Sequence, residues 1–92
     1  MKIIKVGAMW CPACIITNKY WKEVKQKYNN IDFVELDIDM DEEEVKSLNI
    51  GNILPEIIIF DDNSNELKRI VGEKKKEEIE LEIGEVYNEK NN

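Results

Sequence analysis

Apolar residues fall along this chain in short runs and at helical spacings, and the breaks between them set the order of elements. Lys2 to Val6 (KIIKV) is a β-branched run closed by Gly7, too short for a helix, and predicts a strand. From Pro12 to about Tyr28, PACIITNKYWKEVKQKY carries Trp21, Val24 and Tyr28 at helical spacing, with proline where the first helical turn tolerates it, and predicts a long helix. Asn29-Asn30 punctuates its end. Ile31 to Asp37 (IDFVELD) reads as a second strand, with Ile31, Phe33 and Glu35 on one face and Val34 and Leu36 on the other. A short acidic helix is expected from Asp41 to about Leu48, capped by Asp41, with its acids at the positive end and Val45 and Leu48 three apart. Beyond GNILP, Glu56 to Phe60 (EIIIF) is a continuous apolar strand, DDNSN a turn, and Glu66 to Val71 (ELKRIV) its hairpin partner ahead of Gly72. Ile79, Ile83 and Val86 predict a last helix from Glu73 to about Asn88, with Gly84 a weak point inside it and Asn91-Asn92 expected to fray. The result is an α/β chain whose first two strands are parallel, because a helical crossover joins them.

Ninety-two residues hold one domain, residues 1–92, and exclude a two-domain enzyme or a large cofactor cradle. No repeat, low-complexity block or linker divides them. Hydrophobic residues at 42% and charged residues at 36% describe a folded chain with a heavily solvated surface. Thirteen Lys and Arg against 20 Asp and Glu leave a net charge of −7, which opposes phosphate backbones and anionic lipid, so neither nucleic acid nor membrane is an expected partner. The absence of histidine removes Cys-His and Ser-His catalysis and His-containing metal sites. MKIIKVGAMW is too short an apolar run for a signal peptide, and no segment approaches the ~20 apolar residues of a spanning helix, so a cytoplasmic location is expected. In that reducing compartment two cysteines do not serve as a structural staple, and their spacing needs a chemical reason.

Trp10-Cys11-Pro12-Ala13-Cys14 lies where the first strand hands over to the long helix. Unpaired N–H groups and the helix dipole favour negative charge there, which makes Cys11 the nucleophile. Cys14, one turn further on, is placed to attack a mixed disulfide formed at Cys11 and release a reduced substrate. Closed zinc sites take four Cys or His ligands, and this chain supplies two, so a metal site would have to borrow carboxylates or a second subunit, as in a metal or iron-sulfur centre shared through Cys11 by two chains. That non-enzymatic module, and a chemically silent pair, are the alternatives to redox chemistry.

WCPAC after a first strand, Leu54-Pro55 before EIIIF, and Gly72 after ELKRIV together resemble the thioredoxin-like superfamily from Lys2 to about Tyr87. The resemblance implies a four-stranded mixed sheet flanked by helices in the order βαβαββα, and a cis peptide bond at Pro55 beside the cysteines. It also implies that the backbone of Leu54 pairs with an extended substrate segment, while Trp10, Pro12 and Gly72 border the groove. The activity implied is reduction of protein disulfides by a Cys11/Cys14 dithiol cycle, by a monomer with no cofactor beyond that redox-active disulfide and no metal. An upstream disulfide reductase, flavin-based or glutathione-based, would recharge it. The length is similar to the minimal glutaredoxin-size fold, and Pro12 is glutaredoxin-like. DDNSNELKRIVGE lacks the Gly-Gly and Asp of a glutathione contact, and Trp10 and Gly72 look more like thioredoxin. A glutathione-coupled glutaredoxin remains the alternative within the enzyme class.

Thioredoxins resemble one another in a buried aspartate six residues before the first cysteine; here Lys5 takes that place, and Glu35 falls near the partner lysine's place on the next strand. This predicts an exchange of signs, with a Lys5-Glu35 pair beneath the cysteines taking or returning the proton of Cys14. The alternative is a solvated or weak surface pair. Other features look functional without the chemistry to match. Asp37, Asp39 and Asp41 alternate as calcium-loop ligands do, but Glu42 stands where the loop needs glycine and Leu48 where it needs a bidentate acid. KKKEE from Lys74 reads as the wetted start of the last helix, and Tyr20, Trp21, Phe33, Phe60 and Tyr87 as packing. Trp10 differs, because an exposed ring beside the nucleophile would line a partner's landing surface.

Overall fold

In a computed structural model, which describes residues 1–90, the elements run β1 (Lys2–Gly7), α1 (Pro12–Lys27), β2 (Asp32–Asp37), α2 (Glu42–Lys46), β3 (Glu56–Phe60), β4 (Glu66–Val71) and α3 (Lys76–Lys90). Asn91-Asn92, where fraying was expected, lie outside the described residues. The strands form one mixed sheet in the order β2-β1-β3-β4, with β1 and β2 parallel and the other neighbours antiparallel. The helical crossover through α1 therefore dictates the parallel pair, as the sequence predicts. Val6 lies opposite Glu56, so the end of β1 and the loop before β3 meet at one end of the sheet. That meeting brings Cys11 and Pro55, distant in sequence, to the same place.

Strand alternation sends β1 side chains to two different environments. Ile3 joins Trp21 and Val24 of α1, Ile57 and Ile59 of β3, Ile70 of β4, and Ile79, Ile83 and Val86 of α3. Val6 joins a smaller cluster with Ala8, Cys11, Cys14, Val45 and Leu54. Phe33 meets the edge of Trp21 with ring centroids 5.9 Å apart, and Tyr20, Phe60 and Tyr87 are half-buried. No helix among the described residues is long and apolar enough to cross a membrane.

Two helix starts differ from the sequence reading. The last helix begins at Lys76 and not at Glu73, because the Lys74 carbonyl accepts the Tyr20 hydroxyl at 2.7 Å and the first helical bond runs from Ile79 N–H to Lys75 O at 3.1 Å. Asp41 precedes α2 without capping it; its carboxylate accepts the Asp37 N–H at 2.9 Å instead. The same helix stops short, since Leu48 N–H bonds back to Val45 O and Asn49 enters the left-handed region at φ 56°. Gly84, inside α3, has a packing reason: a Cβ there would sit 3.0 Å from the Tyr28 hydroxyl, which bonds the Glu80 carbonyl across the helices.

Candidate active site

The chain leaves β1 at Gly7 and turns through Ala8, Met9 and Trp10, the turn closing with Cys11 N–H on Ala8 O at 3.2 Å. Cys11 is extended at ψ 114° and caps α1, with Pro12 in the first turn. Its Sγ accepts the Cys14 N–H at 3.2 Å, the position a serine or aspartate oxygen fills in ordinary helix caps. The sulfur thus sits against the positive end of the helix, and no acidic residue in the first turn offsets that field. Both cysteines are buried free thiols.

The Leu54-Pro55 peptide is cis, and the Leu54 carbonyl faces Cys11, accepting its S–H at 3.8 Å. Gly72 N–H donates to Pro55 O at 2.9 Å. Gly72 has φ +89°, and a Cβ there would lie 3.3 Å from Ile53 Cγ2, so both conformation and contact call for glycine. Cys11, Cys14, Leu54, Pro55 and Gly72 therefore converge as the sequence motifs suggested. Trp10 stands beside them, 64% exposed. Its indole N–H donates to Asp39 at 2.9 Å, so the ring is tethered.

Behind Cys14 lies a cleft of about 200 Å³ that includes Lys5, Gly7, Asn18, Glu35 and Pro55 in its wall. Lys5 Nζ is 3.2 Å from Glu35, bonds the Asn18 side-chain oxygen, and stands 5.2 Å from the Trp21 ring centroid. The expected buried pair is therefore only half buried. The Lys5 side chain is 7% exposed, but that of Glu35 is 48% exposed and also meets Lys25 at 3.1 Å. The physical reason is position: Lys5 is on central β1 under α1, whereas Glu35 is on β2 at the sheet edge.

Burial, reinforced by the hydrogen bond with Cys11, pushes the Cys14 thiol up to about 11. Burial also lowers Lys5 below the usual lysine range, although Glu35 opposes the shift. Burial favours the protonated form of Glu35, but the bond from Lys25 and the charges of Lys5 and Lys25 outweigh it and hold the carboxyl below its usual range. Cys14 is thus a thiol that gives up its proton reluctantly, with a cation close by.

Sequence reasoning missed Asp39, Asn18, Lys25 and Ile53. Asp39 belongs to the stretch singled out for its resemblance to a calcium loop. There the carboxylates face backbone and indole N–H groups: Asp37 accepts from Asp39 and Met40, and Asp39 accepts from Trp10. Among the described residues, no group of three or more Cys, Asp or Glu is placed to hold a metal ion.

A family model described as Thioredoxin matches residues 1–85. Thioredoxin H2 of Arabidopsis thaliana is 27% identical over 84 residues, covering 91% of this chain and 61% of that protein. A thioredoxin of Aspergillus fumigatus is 27% identical over 70 residues, covering 76% of this chain and 64% of that one. The chain thus spans a little under two thirds of these curated relatives. The crystal structure of a Trypanosoma brucei brucei thioredoxin superposes with a TM-score of 0.83 at 17% identity, covering 95% of this chain and 74% of that one, which establishes the shared fold. Since the family match takes in the sheet, the cysteine helix and the cis-proline loop alike, this chain belongs to the thioredoxin family.

Proposed function

We propose that the protein is a dithiol-disulfide oxidoreductase that reduces disulfides in other proteins, with Cys11 as nucleophile and Cys14 as resolving thiol. The observation that carries this reading is the place of Cys11 Sγ, at the tip of α1, accepting the Cys14 N–H and facing the Leu54 carbonyl before a cis-proline. The thiolate of Cys11 attacks one sulfur of the substrate disulfide, forming a mixed disulfide and expelling the other sulfur as a thiolate. Cys14 then loses its proton and attacks Cys11 Sγ, forming the Cys11-Cys14 disulfide and releasing the second substrate thiol. The substrate gains two electrons and two protons. Backbone groups of Leu54 offer an extended substrate segment a strand-like edge, and Trp10, Pro12 and Gly72 border its path.

In this reading Lys5 and Glu35 serve the second step. The Lys5 cation eases formation of negative charge on Cys14, and half-exposed Glu35 connects the cleft to solvent, where the proton leaves. The electrons reside on the cysteine pair, so no organic cofactor takes part. An upstream disulfide reductase, flavin- or glutathione-based, recharges the pair in a reducing cytoplasm, and the monomeric single domain is the working unit. The test is reduction of insulin disulfides by pre-reduced protein. Wild type turns insulin over, Cys11→Ser does not, and Cys14→Ser accumulates a mixed disulfide on Cys11. Loss of no activity in Cys11→Ser, or none to lose in the wild type, would overturn the reading.

A further inference from the structure

The loop that presents Leu54 is bolted at both ends by one side chain. Arg69 on β4 donates through Nη1 to Glu56 Oε2 at 3.1 Å and to the Asn49 carbonyl at 3.3 Å. Asn49 opens the segment 49–55, and Glu56 closes it directly after Pro55. The remaining face of the guanidinium is held by Glu66 on its own strand, at 3.1 Å through Nε and 2.7 Å through Nη2. The Glu56 side chain is 5% exposed and that of Arg69 23%, so an ion pair is kept largely out of water where an apolar pair would satisfy β3 and β4 as well. An arginine fork can hold several acceptors in one plane; a lysine cannot.

We propose that Arg69 and Glu56 are positioning residues. Their clamp fixes the pose of residues 49–55, and with it the Leu54 backbone against Cys11, so that an extended protein segment is received without reordering the loop. The inference rests on the protein-disulfide reading above. It predicts a division between substrates. A protein disulfide needs the Leu54 edge, whereas a small aromatic disulfide needs only to reach Cys11 Sγ.

The experiment compares second-order rate constants of pre-reduced protein with insulin and with 5,5′-dithiobis(2-nitrobenzoic acid). The double variant Glu56→Gln/Arg69→Gln removes both charges and leaves no uncompensated buried ion. Its rate with insulin is expected to fall about fivefold or more, with the small disulfide staying within about twofold and amide exchange at Gly72, whose N–H donates to the Pro55 carbonyl, accelerating. Should that variant not fold, Glu56→Leu/Arg69→Met carries the same test, because it fills a similar space with apolar groups and removes the bonds to both Asn49 and Glu56. Equal losses on both substrates, or no loss on either, would overturn the clamp. A wild type that reduces neither substrate would take down the disulfide reading and the clamp together. A wild type that reduces both, beside a variant with unchanged insulin rate, removes the clamp alone.

Discussion

The two apolar clusters of this protein differ in what they are made of. The larger is isoleucine, valine and one fully buried tryptophan, gathered from β1, β3, β4, α1 and α3. The smaller holds two cysteines, an alanine, two valines and a leucine, gathered from β1, the turn after it, the first turn of α1, the short α2 and the loop at the cis-proline. Each fully buried Ile or Trp side chain supplies roughly 1.5–3 kcal/mol of transfer free energy, so the first cluster carries the fold. The second has little bulk and sits where reactive sulfur must approach a partner. Stability and chemistry are thus lodged in different parts of one small sheet.

Pairing a substitution from each cluster separates them most sharply. Trp21→Ala should cost ~3–5 kcal/mol, a large part of a total near 5–15 kcal/mol, and denaturant unfolding will read it directly. Cys11→Ser should abolish turnover yet leave the unfolding midpoint nearly in place, because a serine oxygen accepts the Cys14 N–H as the sulfur does. A Cys11→Ser protein that melts like Trp21→Ala would mean that the two clusters do not divide the labour.

A smaller effect comes from Gly7→Ala. The added Cβ would lie 3.1 Å from Cys14 Sγ and 3.4 Å from its Cβ, so the resolving sulfur has to give way by a few tenths of an ångström. Resolution of a mixed disulfide, followed by quenched-flow, should slow several-fold, to about a third or less, while attack by Cys11 keeps its rate. Equal slowing of both steps would show that Gly7 serves the fold and not Cys14.

The smallest effect expected is at Glu35. Because the folded protein holds this carboxyl below its usual range, the stability it contributes is present at neutral pH and is lost as pH falls through the carboxylate range. Its side chain is half exposed, so the contribution is under about 1 kcal/mol. Glu35→Gln should therefore melt slightly earlier than wild type at pH 7 and coincide with it in acid. The pH dependence of Cys14 attack should move as well, and an unmoved profile would remove Glu35 from the proton route.

Much of this was legible in the chain. Strand runs such as KIIKV and EIIIF, and the Trp21, Val24, Tyr28 spacing of α1, fixed the order and the parallel pair because local pattern and tertiary burial agree there. WCPAC and Leu54-Pro55 marked the site because their spacing is local or their residue type is rare. What escaped depends on contacts between distant segments. Tyr20 takes the Lys74 carbonyl and delays α3, Asp37 takes the carboxylate of Asp41 from its helix, and Lys25 draws Glu35 toward solvent. Asp39 could have been suspected from its charge, but only the fold brings it to the Trp10 indole.

The central claim is an asymmetry between two thiols one helical turn apart, and alkylation reads it most directly. Reduced protein is treated with iodoacetamide across a pH series, and the modified residue is mapped by mass spectrometry. Cys11 should be labelled first, with Cys14 following only as the pH climbs toward about 11, since burial, the larger cause of its shift, persists once Cys11 is blocked. Labelling of both thiols together at neutral pH, or of Cys14 before Cys11, would contradict the account.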